Sequence, residues 1–167
     1  HIEDIRVTPD LDAQYKDATL QVDIQMKGKG TVDLKLFDKA GKEVATSQVK
    51  GSGKQSVTMN ISNPAKWTAE TPNLYKLIAN LNENGKVIES IPIQVGFRKI
   101  ELKNSQVWIN GQPVLFKGVN RHEIDPDYGY YVSEERMIQD LIRLKELNIN
   151  AVRTCHYPDN NLWYDLC

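Results

Sequence analysis

The side chains able to do chemistry fall in two short stretches. Asn120-Arg121-His122-Glu123 follows closely on the apolar run Val114-Leu115-Phe116, and Arg153-Thr154-Cys155-His156 follows Asn150-Ala151-Val152. In parallel α/β architectures the carboxyl ends of strands carry the site, because the loops there vary while the strands stay packed. Read as two strand ends, the stretches place His122 and His156 at equivalent positions on neighbouring parallel strands, facing one ligand, with Arg121, Glu123 and Arg153 around them. A single strand-end histidine is as readily a satisfied structural group; two together, beside Arg153, favour a site. Spacing alone leaves its chemistry open, since there is no Gly-rich phosphate loop or GxSxG elbow. CxxC and HxxxH metal spacings are also lacking. Cys155 beside His156 suggests a nucleophile, but cysteine is commonly a small core hydrophobe. Cys155 and Cys167 both read as free thiols.

The elements that must position these residues form a βαβ pattern. Val114–Val119 reads as an apolar strand buried on both faces. After a loop with Pro126 and Gly129, Ser133 is a helix N-cap, with Glu134 and Glu135 in the first turn where the dipole favours negative charge. Arg136 occupies the capping-box position, so that motif is half present. Met137, Leu141, Leu144 and Leu147 lie on one stripe with Ile138 alongside, Asn148 ends the helix, and 150–154 is the second strand of a right-handed unit. A further helix begins near Asn160. A lone βαβ unit has two strand edges and an uncovered sheet face, so the chain is expected to be cut from a longer one.

Residues 1 to about 95 read as about seven short strands separated by turns. Leu20, Val22, Ile24 and Met26 alternate with Gln21, Asp23 and Gln25 up to Gly28 and Gly30, and Val32, Leu34 and Leu36 repeat the pattern before the turn Asp38-Lys39-Ala40-Gly41. Further strands follow at Val44–Val49, Val57–Ile61, Leu74–Leu81 and Val87–Val95, the last two joined by Asn84-Gly85, a type I′ hairpin signal. One-sided apolar strands need a second apolar layer, which predicts an antiparallel, immunoglobulin-like β-sandwich over 1–96 with no helix. Trp67 and Tyr75 are expected to pin a loop over its end by burial. Phe97–Ile100 and Val107–Ile109, the latter ending at Asn110-Gly111, read as a small hairpin in which Trp108 packs.

The 167 residues carry a formal net charge of -1 with the basic residues scattered among acidic ones, which gives no case for nucleic acid or an anionic membrane as a partner. No apolar run approaches the roughly 20 residues of a membrane helix. The chain starts at His1 without a signal peptide, which says nothing about the true N-terminus.

Gly96-Phe97-Arg98, Asn110-Gly111, Gly118-Val119-Asn120-Arg121-His122-Glu123 and Asn150-Ala151-Val152-Arg153-Thr154-Cys155-His156-Tyr157-Pro158 together resemble the family two glycoside hydrolases, in particular the bacterial β-galactosidase branch. Trp67-Thr68-Ala69-Glu70-Thr71-Pro72-Asn73-Leu74-Tyr75 is similar to a loop near the end of that family's first immunoglobulin-like domain. The resemblance implies a mixed fold: an all-β immunoglobulin-like sandwich (1–96) followed by the first βαβ unit of a truncated (β/α)8 TIM barrel (97–167). It implies retaining exo-hydrolysis of terminal β-galactosides, with substrate-binding roles for His122, His156, Arg153 and Asn120. Arg153 matches an arginine beside the nucleophilic carboxylate. The acid/base and nucleophile glutamates lie further along the family's chain, so this chain holds no catalytic residue and is expected to be inactive. Glu123 lacks a second carboxylate across the sugar, because Asp125 and Asp127 share its loop, and is read as structural.

Magnesium and sodium in the parent are implied through ligands outside the chain, with no metal site within it. The implied partner is a β-galactoside, in a parent that could be a homo-oligomer of the bacterial cytoplasm or periplasm. The alternatives are a β-glucuronidase or β-mannosidase of the same family, or a non-catalytic carbohydrate-binding or interaction module. In the last, the sandwich would be the functional part.

Overall fold

The computed structural model describes residues 1–167. They divide into two compact units, His1–Val114 and Leu115–Cys167. The first holds β1 (Ile2–Leu11), β2 (Ala18–Phe37), β3 (Glu43–Ile61), β4 (Tyr75–Glu83), β5 (Lys86–Val95), β6 (Ile100–Lys103), β7 (Gln106–Ile109) and β8 (Gln112–Pro113), with no helix. The second holds β9 (Gly118–Arg121), α1 (Glu134–Glu146), β10 (Ala151–Thr154) and α2 (Asn161–Leu166).

The first unit is all-β and immunoglobulin-like, but the expected short strands merge into longer ones. β2 runs through Gly28 and Gly30, and β3 runs through Gly51-Ser52-Gly53, so five strands make one antiparallel sheet. These glycines are not chain reversals. Gly28 and Gly53 have positive φ and sit where the β2–β3 register slips, so they bend a continuing ladder as a bulge does. The amino half of β2 pairs with β1 and its carboxyl half with β4, while β3 accompanies both. Leu20, Val22, Ile24, Met26, Val32, Leu34 and Leu36 all enter one core with Leu77, Ala79 and Phe97. The layers of the sandwich are thus halves of one curled sheet. Edge strands β1 and β5 meet where the Ile2 N–H donates to Glu89 Oε2 at 2.9 Å. Each fully buried Leu, Val or Ile contributes about 1.5–3 kcal/mol.

The turns follow their residue types. Asp38 Oδ1 accepts from the Ala40 and Lys42 N–H groups, closing the β2–β3 hairpin. Asn84-Gly85 and Asn110-Gly111 adopt the paired positive φ of a type I′ turn, as does Asn104-Ser105, which carries a weaker sequence signal. Tyr75 is buried, its hydroxyl accepts from the Ala65 N–H, and its ring meets Phe97 edge-on at 5.1 Å, so the Pro64–Pro72 loop is pinned as expected.

The small sheet β6-β7-β8 belongs to the first unit. Its first strand starts at Ile100 rather than Phe97, because Phe97 makes only an isolated bridge with Lys66 and its ring fills the core. Asn110 Nδ2 donates to Trp67 O, and the Tyr15 hydroxyl donates to Glu101 Oε2 at 2.6 Å. That hydroxyl, then Lys103, hold the Glu101 carboxyl below the usual range.

In the second unit β9 and β10 pair in parallel, with Asn120 opposite Arg153 and Thr154 opposite Arg121. The strand expected over Val114–Val119 is displaced to Gly118–Arg121. The Asn150 side chain accepts from the Lys117 N–H and donates to Leu115 O, which replaces a backbone ladder there. Leu115 and Phe116 stand 77% and 52% exposed instead of buried. Ser133 caps α1, its hydroxyl accepting from the Arg136 N–H. Met137 is buried and Leu141 and Leu144 pack beside it, whereas Leu147 is 70% exposed at the C-cap, outside the expected stripe. Asn148 follows in the left-handed region that ends a helix.

Candidate functional site

Strand alternation sorts the chemistry-bearing residues onto two faces. Val152 packs into the helical layer with Met137 and Trp163, so the face bearing Val119, Arg121 and Val152 is the helix side. Asn120 and Arg153, register partners, occupy the opposite face, and both are exposed. The ladder is extended by Cys155, whose N–H donates to Arg121 O at 2.8 Å. Just beyond it the rings of His122 and His156 come together, 5.7 Å between centroids and nearly perpendicular at 89°. The Tyr157 ring is 6.0 Å from His122. The structure therefore brings His122 to His156 and Asn120 to Arg153.

Arg121 does not join them. It lies 8% exposed on the helix side, where Nη1 binds Asp159 at 2.8 Å and Nε binds Asp140 at 3.1 Å. Its guanidinium stacks 3.8 Å from the Trp163 ring centroid. A planar donor fork suits such a partly desolvated position better than lysine would. The parity of the strand already separates Arg121 from Asn120 and His122; its acidic partners, from α1 and the segment before α2, carry no local signal.

Glu123, read from the sequence as structural, is hydrogen-bonded to the segment after β10. Its Oε2 accepts from the Asn160 N–H at 2.8 Å, and its own N–H donates to the Tyr157 hydroxyl at 3.2 Å. Asp125 is buried and accepts from the Asp127 and Tyr128 N–H groups and from Arg136 Nε. The backbone bond from Asp127 leads, followed by Tyr128 and the Arg136 charge, in holding its carboxyl below the ordinary range. Asp125 thus has both oxygens bonded, whereas Glu123 has one oxygen bonded and Oε1 buried without a protein partner.

Cys155 is a buried free thiol that contacts Arg153 O at 3.3 Å, and Cys167 is free as well. No group of three or more His, Cys, Asp or Glu side chains is arranged to hold a metal ion. No helix is long and apolar enough to cross a membrane. A cavity of about 550 Å³ in the first unit, lined by Asp10, Asp17, Asn60 and Lys99, contains none of the sequence-predicted residues. The arrangement in the second unit presents two imidazoles, an amide and a guanidinium as hydrogen-bonding groups at adjacent strand ends.

A β-sandwich unit followed in the chain by a parallel βαβ unit with polar residues at its strand ends is the order found where an immunoglobulin-like domain precedes an α/β barrel. Comparison with known proteins makes the assignment specific. Residues 1–98 match the family profile "Glycosyl hydrolases family 2" and residues 100–167 the profile "Glycosyl hydrolases family 2, TIM barrel domain". The chain belongs to glycosyl hydrolase family 2, comprising its immunoglobulin-like β domain and the start of its TIM barrel.

The chain is 42% identical over 182 residues to a β-galactosidase of Photobacterium profundum, covering 99% of this chain and 18% of that protein. It is 41% identical over 173 residues to a β-galactosidase of Halalkalibacterium halodurans, covering 100% of this chain and 17% of that one. Among solved structures it superposes on Bacteroides uniformis β-glucuronidase 3 with a TM-score of 0.91 at 28% identity, over 100% of this chain and 21% of the other. The chain thus spans less than a fifth of the length of these curated relatives.

Proposed function

We propose that this chain forms one wall of the sugar site in a retaining exo-β-galactosidase that removes terminal β-galactosides. The observation that carries the reading is the perpendicular His122–His156 pair at the ends of adjacent parallel strands, in a chain about 42% identical to β-galactosidases over 99% of its length. In this reading the two imidazoles hydrogen-bond galactosyl hydroxyls. Asn120 and Arg153 line the adjoining face, with Arg153 beside the nucleophilic carboxylate. Hydrolysis needs one glutamic acid to protonate the leaving oxygen and a second to form the glycosyl-enzyme, with carboxyls about 5–5.5 Å apart. Both belong to other parts of the full-length protein, as do the ligands for magnesium and sodium, and no step is assigned to a metal here. A homo-oligomeric parent is part of the same proposal.

His122→Ala and His156→Ala in the full-length enzyme are each expected to lower kcat/KM about 100-fold or more, because donors aimed at the sugar strengthen in the transition state. Steady-state kinetics on a nitrophenyl β-galactoside measures this, and unchanged efficiency in both variants would defeat the reading. The 167-residue chain alone is expected to show no turnover.

The β-glucuronidase reading draws on the structural likeness at 28% identity, lower than that to the β-galactosidases. Comparing galactoside with glucuronide and mannoside cleavage by the full-length protein decides between them. A carbohydrate-binding module is disfavoured, since no aromatic residue is among the exposed large apolar residues of the first unit. Micromolar galactoside binding by the chain, followed by tryptophan fluorescence, would revive it.

A further inference from the structure

Glu123 has no chemical task in this reading, yet it is fastened at both ends. Its carboxylate takes the Asn160 N–H at 2.8 Å while its backbone N–H reaches the Tyr157 hydroxyl at 3.2 Å. Both partners lie in the segment after β10, which also carries His156. Immediately before Glu123, His122 meets His156 edge-on, and Arg121 before that binds Asp159. Three consecutive residues of one strand end therefore each engage the other strand end. Tyr157 serves twice, as acceptor for Glu123 and as the ring beside His122. Glu123 Oε1 is buried without a protein partner, so this carboxylate is kept where its burial is only half compensated. A group held at that cost, with its second oxygen committed to one backbone donor, is suited to fixing geometry rather than moving protons.

We propose that Glu123 and Tyr157 are positioning residues that set the angle and separation of the His122–His156 pair, with Glu123 acting as a hydrogen-bond acceptor and not as an acid or base. This rests on the reading that the pair binds the sugar. A charge-assisted bond from a backbone N–H to a carboxylate is strong and directional, so it can hold a loop to within the fraction of an ångström that hydroxyl recognition requires. Displacing a substrate-orienting group by about 1 Å can cost roughly 100-fold in rate.

The test uses the full-length enzyme with a nitrophenyl β-galactoside and crystal structures of the variants. Glu123→Ala is expected to lower kcat about 10- to 100-fold, with a visibly altered His122–His156 ring separation. Glu123→Gln keeps an acceptor oxygen and is expected to restore most of that loss and leave the pH profile of kcat/KM in place. A kcat unchanged in Glu123→Ala overturns the proposal. So does a Glu123→Gln enzyme as impaired as the alanine variant, which would show that an acceptor oxygen at this position is not what holds the pair, or one with a displaced pH profile, which would make Glu123 an acid or base. If Glu123→Ala fails to fold, Tyr157→Phe takes its place, and an unmoved histidine pair with unchanged kcat in that variant overturns the proposal equally. Should His122→Ala and His156→Ala leave activity intact, the sugar-site reading falls, while the ring geometry in the Glu123 variants still decides whether the clamp exists.

Discussion

The two units hold their shape by different means. The first gathers nineteen buried apolar residues into one core, whereas the second gathers only Val132, Met137 and Trp163, with partly buried neighbours. Where the apolar core is small, charge-assisted bonds take over: Arg121 to Asp140 and Asp159, Arg136 to Asp125, and Glu123 to Asn160. Apolar burial is strong but non-directional, so it fixes where a sheet lies and not the angle of any side chain on it. Ionic hydrogen bonds specify angle and distance. The unit with the candidate site is the one organised by directional bonds.

The contrast can be broken at its strongest point. Phe97 is fully buried against Tyr75, and Phe97→Ala is expected to cost about 3–5 kcal/mol, read from the urea midpoint of the transition followed by far-UV circular dichroism. A loss below about 1 kcal/mol would mean that the apolar core does not carry the first unit.

In the second unit the expectation concerns pairing. Arg121→Met leaves the wholly buried Asp159 carboxylate without its closest cation and should cost about 3 kcal/mol, measured by hydrogen exchange across residues 115–167. Adding Asp159→Leu should return stability to within about 1 kcal/mol, because a buried ion pair is worth little more than an apolar pair of similar volume. A double variant no better than the single one would show that Asp140 and Trp163, and not Asp159, hold Arg121.

The smallest effect is a pH dependence. Asp125 has a folded-state pKa below its ordinary value, so the stability it contributes is fully present above that value, near pH 4. It is lost as pH falls from there through the lower folded value. Asp125→Asn should flatten the acid dependence of exchange at Asp127 and Tyr128, and an unchanged acid profile would assign it to other carboxylates.

What could be read from the sequence was whatever a local pattern encodes. The alternation of Leu20 to Met26, the Asn-Gly hairpins, the Ser133 cap and the parallel strands bearing His122 and His156 all follow from residues near one another in the chain. Glycine was ambiguous: Gly28 and Gly53 look like turn residues, but a glycine of positive φ also permits a bulge, and only the neighbouring strand decides which forms. Apolar character misled at Leu115 and Phe116, since hydrophobicity alone cannot show that Asn150 will cap that segment with its side chain. The tertiary partners of Arg121 and Glu123 come from residues 19 to 38 positions away, beyond any periodic signal.

The bulge in β2 also constrains how the chain length can vary. From Met26 to Gly30 the strand advances four positions while its partner β3 advances two, from Gly53 to Gly51. Pairing resumes beyond the surplus, and Val32, Leu34 and Leu36 point inward like Leu20, Val22 and Ile24 before it. In β1 a one-residue surplus between Ile2 and Asp4 is absorbed with Ile2, Ile5 and Val7 all still on the core, so a single-residue change at the β2 bulge can likewise be taken up without turning the second trio to solvent. Lys27–Lys29 is therefore the stretch of β2 in which length can change while the two apolar trios stay in the core.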